Sequence, residues 1–294
     1  MCLFCLFVAT SVLASQKALY GPPKTIATIK DKSVTESSGL VASRLTPGVY
    51  WTHNDSGDGP LIYAFDTRGE SLGKFHVNGA LARDWEDIAA GPGPQPNRPY
   101  LYLGDIGDND GVRPEVIVYR VPEPALSGAA LMFTRKGAAV TEPAEAIRLK
   151  YPDGAHDAEA LLVHPHSGNI YIVTKILLGN PGVYEAVAPF TPGNLITMRR
   201  IGEAQVLNLF GGGITGGSIS PDGRRVALCD YSQGYELVLK AGAGNFDEIW
   251  KDRMVVVDLG KRKQGESITY RLDSRALLTT SEGKQSPLIE VERN

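Results

Sequence analysis

Glu36, Glu86, Glu159 and Glu266 each open an aliphatic run, and Asn54, Asp55, Asp105, Lys175, Asp230 and Glu282 stand at the ends of the runs that follow. If paired runs form β-hairpins, the start of the first strand and the end of the second share one end of the sheet. The spacing therefore predicts a cluster of carboxylates. Packed together, such groups repel one another and lose hydration. Relief comes from raised pKa values, from pairing with Lys175 or Arg83, or from a bound cation. Carboxylate and amide oxygens are hard ligands that suit a divalent ion, with calcium first and magnesium or manganese as alternatives. A second reading stands beside this one: each Glu accepts backbone N–H groups of a neighbouring unit and locks the units together.

Proton transfer needs a base beside such a cluster. His53 adjoins Asn54-Asp55, and His156 precedes Asp157 and Glu159, so these two histidines are the candidates. His164 and His166 sit in a turn at the opposite end, and His76 reads as part of an outer strand. Trp51 and Trp85 flank the acids; they stack on a sugar ring or pack between units, and Lys175 joins them as a ligand contact. Nucleophilic chemistry finds little support. Gly216-Gly217-Ser218-Ile219-Ser220 lacks the last glycine of a nucleophile elbow, and the glycine-rich run 211–217 lacks the Lys-Ser/Thr of a phosphate loop. The loops at 54–59 and 108–111 resemble calcium loops but have no glutamate at the twelfth position. They read as Asx-type turns or as further oxygen donors to the cluster.

The elements that must position these residues recur along the chain. Units begin at Glu36, Glu86, Glu159, Gly217 and Glu266. Each has an aliphatic strand, a turn, a second aliphatic strand and a polar cluster, and each has the length of a propeller blade. The longest interval, Glu86 to Glu159, carries its excess in an Ala-, Gly- and Pro-rich loop near 123–145. The last unit is cut short, and Lys24–Ile29 supplies its missing outer strand. The fold class predicted is all-β: one five-bladed β-propeller over 17–294, closed by strands from both termini, with six blades as the alternative. Asn245–Lys251 reads as a helical insertion.

Composition agrees. With 33 Gly and 19 Pro, helical bundles are excluded, and 43% hydrophobic content excludes disorder. A balance of 30 Lys+Arg against 33 Asp+Glu gives no basic nucleic-acid surface. Residues 1–16 are uncharged and largely apolar, too short to span a bilayer; they read as a signal peptide. The expectation is a secreted protein, extracellular or periplasmic, without stable membrane insertion, and monomeric. Its removal leaves Cys229 alone, in a strand-like run, as a small buried hydrophobe.

Ser220-Pro221-Asp222-Gly223-Arg224-Arg225-Val226-Ala227-Leu228 resembles the strand–turn–strand signature of TolB-like and WD40-type propellers. Tyr50-Trp51-Thr52 is similar to the motif of YWTD propellers. Glu36 and Asp55 resemble the metal-bearing residues of SMP-30/gluconolactonase-like and strictosidine-synthase-like propellers. WTHNDSG, DWEDIA and LGDIGDN together resemble a group of secreted propellers. The lactonase-like resemblance implies Glu36 as a metal ligand, with Asp230 or Asn54 beside it, and His53 or a carboxylate of raised pKa as base. Two functions follow as expectations. One is metal-dependent hydrolysis of a small ester, lactone or phosphoester. The other is a non-catalytic propeller with structural calcium that binds a small molecule, a carbohydrate or a protein.

Overall fold

The computed structural model describes residues 18–55, 57–126, 137–206 and 213–294. The expected signal peptide and residues 211 and 212 of the glycine-rich run lie outside the described residues. β1 (Lys24–Thr28) comes first and is set aside until the ring closes. Blade 1 is β2 (Ser37–Ala42), β3 (Val49–Asn54), β4 (Leu61–Asp66) and β5 (Ser71–His76). Blade 2 holds β6 (Trp85–Pro92), β7 (Pro99–Asp105) and β8 (Val116–Pro122). The chain then lends β9 (Ala139–Val140) to the edge of blade 1 before completing blade 2 with β10 (Glu145–Lys150). Blade 3 is β11 (Ala158–Val163), β12 (Ile170–Thr174), β13 (Gly182–Ala186) and β15 (Arg199–Glu203), while β14 (Leu195–Thr197) edges blade 2. Blade 4 is β16 (Gly216–Ile219), β17 (Arg225–Cys229), β18 (Gly234–Val238) and β19 (Val255–Val257). Blade 5 is β20 (Thr269–Tyr270), β21 (Ala276–Thr279), β22 (Pro287–Glu292) and the returning β1.

Five sheets make five blades, as the repeat predicts, and the six-bladed alternative falls. The inner strands β2, β6, β11, β16 and β20 contact one another in that order, and β20 returns to β2. These strands are buried on both faces, so they read as near-continuous small and apolar runs. Each seam between blades has its own apolar cluster. Trp51 and Ile62 meet Leu101 and Val121 between blades 1 and 2. Tyr102 and Val118 meet Leu161 and Ile172 between blades 2 and 3. Cys229 is fully buried between blades 4 and 5, where burial pushes its thiol up to about 12. It packs as a small hydrophobe.

Ring closure occurs in blade 5, where β1 pairs antiparallel with β22 through Lys24↔Glu290 and Thr28↔Pro287. This caps an edge that would otherwise expose unpaired backbone groups. A buried chain of hydroxyls joins blade 1 to blade 5: Ser37 Oγ lies 2.7 Å from Thr52 Oγ1 and 2.8 Å from Thr280 Oγ1, which also bonds Ser267. Along the axis, Val41, Ile88, Leu162 and Ile219 help line a cavity of about 30 Å³. That holds at most about one water, so the axis is filled at this level. Among the described residues the helix is a single 3₁₀ segment, Phe246–Lys251, and no helix is long and apolar enough to cross a membrane.

Candidate metal centre

Register decides which acids are equivalent. In blade 1 Ser37 faces Asn54 and Gly39 faces His53, so Ser38 is bulged. In blade 2 Trp85 faces Asp105 and Asp87 faces Gly104, so Glu86 is bulged. In blade 3 Ala158 faces Thr174 and Ala160 faces Val173, so Glu159 is bulged. Ser38, Glu86 and Glu159 are therefore equivalents, and so, two residues earlier, are Glu36, Asp84 and Asp157. Equating Glu36 with Glu86 and Glu159 is corrected by two residues. The true position holds Glu in blade 1 and Asp in blades 2 and 3. Counting back from Tyr270↔Leu277 places Glu266 level with Glu159, which faces the same step from Val163↔Ile170.

Bulges turn a side chain out of the ladder, and here they turn Glu86 and Glu159 to the mouth. Asp55 leaves the end of β3, Asp84 enters β6, and Glu86 is its bulge. Each of the three offers one oxygen, and these oxygens lie within 4.8 Å of one another. Gly107 passes beside them: a Cβ there would overlap Oε1 of Glu86 and Oδ2 of Asp84. Its N–H donates to the Asp84 carbonyl at 3.3 Å. Arg113 holds this loop from beneath, pairing with Asp105 at 2.9 Å and donating to the Gly107 carbonyl at 2.7 Å.

The electrostatics of the mouth are those of crowded acids. Burial first, then Glu159, Asp55, Asp84 and Asp157, push Glu86 up to about 11. Asp84 is raised by burial, Asp55 and Asp157. Glu266 is pushed up to about 9 by burial and by the neighbouring Glu282 carboxylate, against a hydrogen bond from Gln264. Glu36, largely open to water, is raised by residual burial, Glu282 and Asp55. Glu159 pairs with Lys175, which also donates to Tyr231 Oη at 2.8 Å. Burial outweighs the lysine, and Glu159 is raised to about 7. The mouth thus has two halves. Around Glu159 the protein supplies its own ammonium; Glu86 and Asp84 are raised by the acids around them.

Several expected site residues do other work. Asn54 Oδ1 accepts the N–H groups of Thr35 and Glu36, and its Nδ2 donates to Ser33 and Asp58, so it shapes the loop and has no oxygen turned to an ion. Asp105 accepts the N–H groups of Arg83 and Asp84 and pairs with Arg113. Asp230 accepts from Ser232, Gln233 and Tyr235; burial raises it, but these bonds outweigh burial and hold it below its ordinary value. His53 is fully buried, with Nδ1 2.8 Å from the Asn54 carbonyl, and burial lowers its pKa. No solvent-borne substrate reaches it. His156 Nε2 lies 3.0 Å from Asp153 Oδ1 and 3.0 Å from Tyr184 Oη, and Tyr184 is on β13, the third strand of blade 3. Trp51 and Trp85 are both buried in the blade 1–2 seam, so their faces are covered and they pack there instead of stacking on a sugar. Trp51 Nε1 donates to Glu123 at 2.9 Å. Asp84, Asp157 and Gly107 were not singled out from the sequence. The Asp two residues ahead of each bulged Glu was the available signal.

The ring-locking role exists, but Asp87 performs it. Its carboxylate accepts the N–H of Ile88 at 2.8 Å, of Leu161 at 3.0 Å and of Gly217 at 3.2 Å. It thereby joins blades 2, 3 and 4 at the axis. Burial pushes its pKa well up, and the three donors oppose that.

The fold defines a five-bladed β-propeller with an acidic mouth. No protein-family model matches the chain, and no curated protein matches it.

Proposed function

We propose that this propeller binds a divalent cation at its channel mouth, calcium first by its donor set, and acts as a binding protein there. The carrying observation is the convergence of Asp55, Asp84 and Glu86 oxygens within 4.8 Å. Carboxylate oxygens alone favour calcium, magnesium or manganese over zinc. Gly107 supports the reading, because its missing side chain keeps the space beside Glu86 and Asp84 clear. A cation would hold all three as carboxylates and remove the repulsion that now raises Glu86 and Asp84. The uncharged N-terminal run supports export to a calcium-rich compartment.

One observation favours a second reading, hydrolysis of a small ester, lactone or phosphoester at the bound ion. Glu159, raised to about 7 beside the cluster, has the proton affinity of a general base near neutral pH. The resemblance of Glu36 and Asp55 to metal-bearing residues of lactonase-like propellers is in keeping with it.

The test is thermal unfolding in EDTA, then with Ca²⁺, Mg²⁺ or Mn²⁺ restored singly. A ligand that binds only the folded state raises the melting temperature with concentration. We expect a shift with calcium that the double variant Asp84→Asn/Glu86→Gln abolishes. An equal shift in that variant, or none in the native chain with any of the three ions, sinks the reading. An ester and lactone screen with the effective metal then separates binding from hydrolysis.

A further inference from the structure

Among the described residues, the four most exposed large apolar side chains are Leu178, Leu177, Leu81 and Val112, at 85, 77, 73 and 66%. All four lie on loops at the mouth end. Leu81 is on the β5–β6 connection, Val112 on β7–β8, and Leu177-Leu178 on β12–β13. Other exposed apolar residues lie on outer strands, such as Val140 and Val255, or at the far end, such as Val187. Single exposed leucines are normal; a group on one arc marks an interaction surface.

These loops are pinned. Trp85 Nε1 donates to the Leu81 carbonyl at 2.9 Å. The Val112 N–H donates to Asp108 Oδ1 at 3.0 Å, and the Asp108 N–H donates to Asp157 Oδ1 at 2.8 Å. The Lys175 N–H donates to the Asp157 carbonyl at 2.9 Å, at the root of the Leu177 loop. One hydrogen-bonded belt thus runs from blade 2 to blade 3 and fixes the backbone at the roots of these loops. Preorganised surfaces of this kind lose less entropy on binding.

We propose that the mouth end docks a basic segment of another protein, with its cationic side chains over the carboxylates and its apolar side chains on the Leu81–Leu178 arc. Charge complementarity selects this occupant. With or without a divalent ion on the three clustered acids, Glu36, Asp157 and Glu282 remain, while Lys175 is committed to Glu159. An anionic membrane or a nucleic acid would meet those acids unfavourably.

The test is fluorescence anisotropy of the full chain with a fluorescein-labelled twelve-residue peptide of alternating Lys and Leu. Control peptides replace every Lys by Glu, or every Leu by Ser. We expect the Lys-Leu peptide to bind in EDTA and in calcium, at least tenfold more tightly than either control. The Leu177→Ser/Leu178→Ser variant should weaken it at least fivefold with an unchanged melting curve, and Val187→Ser should leave it unchanged. Equal binding by the mouth variant overturns the proposal. So does equal binding of the Glu-Leu peptide, or preferential calcium-dependent binding to phosphatidylserine–phosphatidylcholine vesicles. Failure of the metal reading shows separately, as a missing calcium shift in the melts.

Discussion

Glu86 and Asp87 are neighbours in one strand, both buried, and they belong to different regions. Asp87 lies in the channel wall, where three backbone N–H groups converge on it. Glu86 lies at the mouth, where its surroundings are Glu159, Asp55, Asp84 and Asp157. The wall gives a buried acid donors; the mouth gives it more acids. Burial of a carboxylate is therefore no sign of a site by itself. Glu123 makes the same point: it accepts from Ser43, Arg44, Leu45 and Trp51 and ties two blades together at the far end. What separates a lock from a site is whether the fold brings donors or leaves the charge to an outside partner.

The strongest break of this contrast is Asp87→Ala. It strands three buried N–H groups, and a loss of about 4 kcal/mol is expected. That lowers the melting temperature by about 10 °C for a chain of this size. Thermal unfolding in EDTA checks it, and a loss below about 1 kcal/mol would deny the locking role.

The next is pH. Glu86, Glu266 and Glu159 hold protons more tightly when folded than the ordinary 4.5 of an unfolded glutamate. Their stabilising share is full below that value and lost as pH climbs through about 7 for Glu159, 9 for Glu266 and 11 for Glu86. In EDTA, stability should fall steadily from pH 5 to 9. Calcium should flatten that slope, and Glu86→Gln should reduce it. Melts across that range that show a rise in EDTA would contradict the crowded-acid picture.

Gly107→Ala sharpens the mouth side. Its Cβ pushes Glu86 and Asp84 apart, and calcium affinity should drop about tenfold, or about 1.4 kcal/mol. Calcium titration calorimetry on both proteins reads this directly, and unchanged affinity would place the ion elsewhere. The smallest effect is expected at the seam between blades 1 and 5. Ser37→Ala removes one link of the hydroxyl chain and should cost about 1 kcal/mol without changing calcium affinity.

The fold was legible because its causes are local. The five units could be read from turn residues such as Pro221-Asp222-Gly223 and from the Val-, Ile- and Tyr-rich strands around them. The closing role of Lys24–Thr28 followed from a unit one strand short. The site was legible only in outline. The acids could be placed at one end, but a bulge adds a residue that no periodicity announces. Glu86 and Glu159 are therefore two residues out of step with Glu36, whose counterparts are Asp84 and Asp157.

By itself, then, the sequence determined the architecture, the closure and the end at which the carboxylates gather, since strand period, turn chemistry and chain order act over a few residues. Only the tertiary structure decided what each acid does. Asp87 finds donors on blades 3 and 4, residues distant along the chain, and Asp105 finds Arg113 across a loop. Asp55 meets Asp84 and Glu86 only where blade 1 packs on blade 2. A carboxylate's role is set by the partners that packing brings within hydrogen-bond reach, and those come from blades the local sequence does not contain.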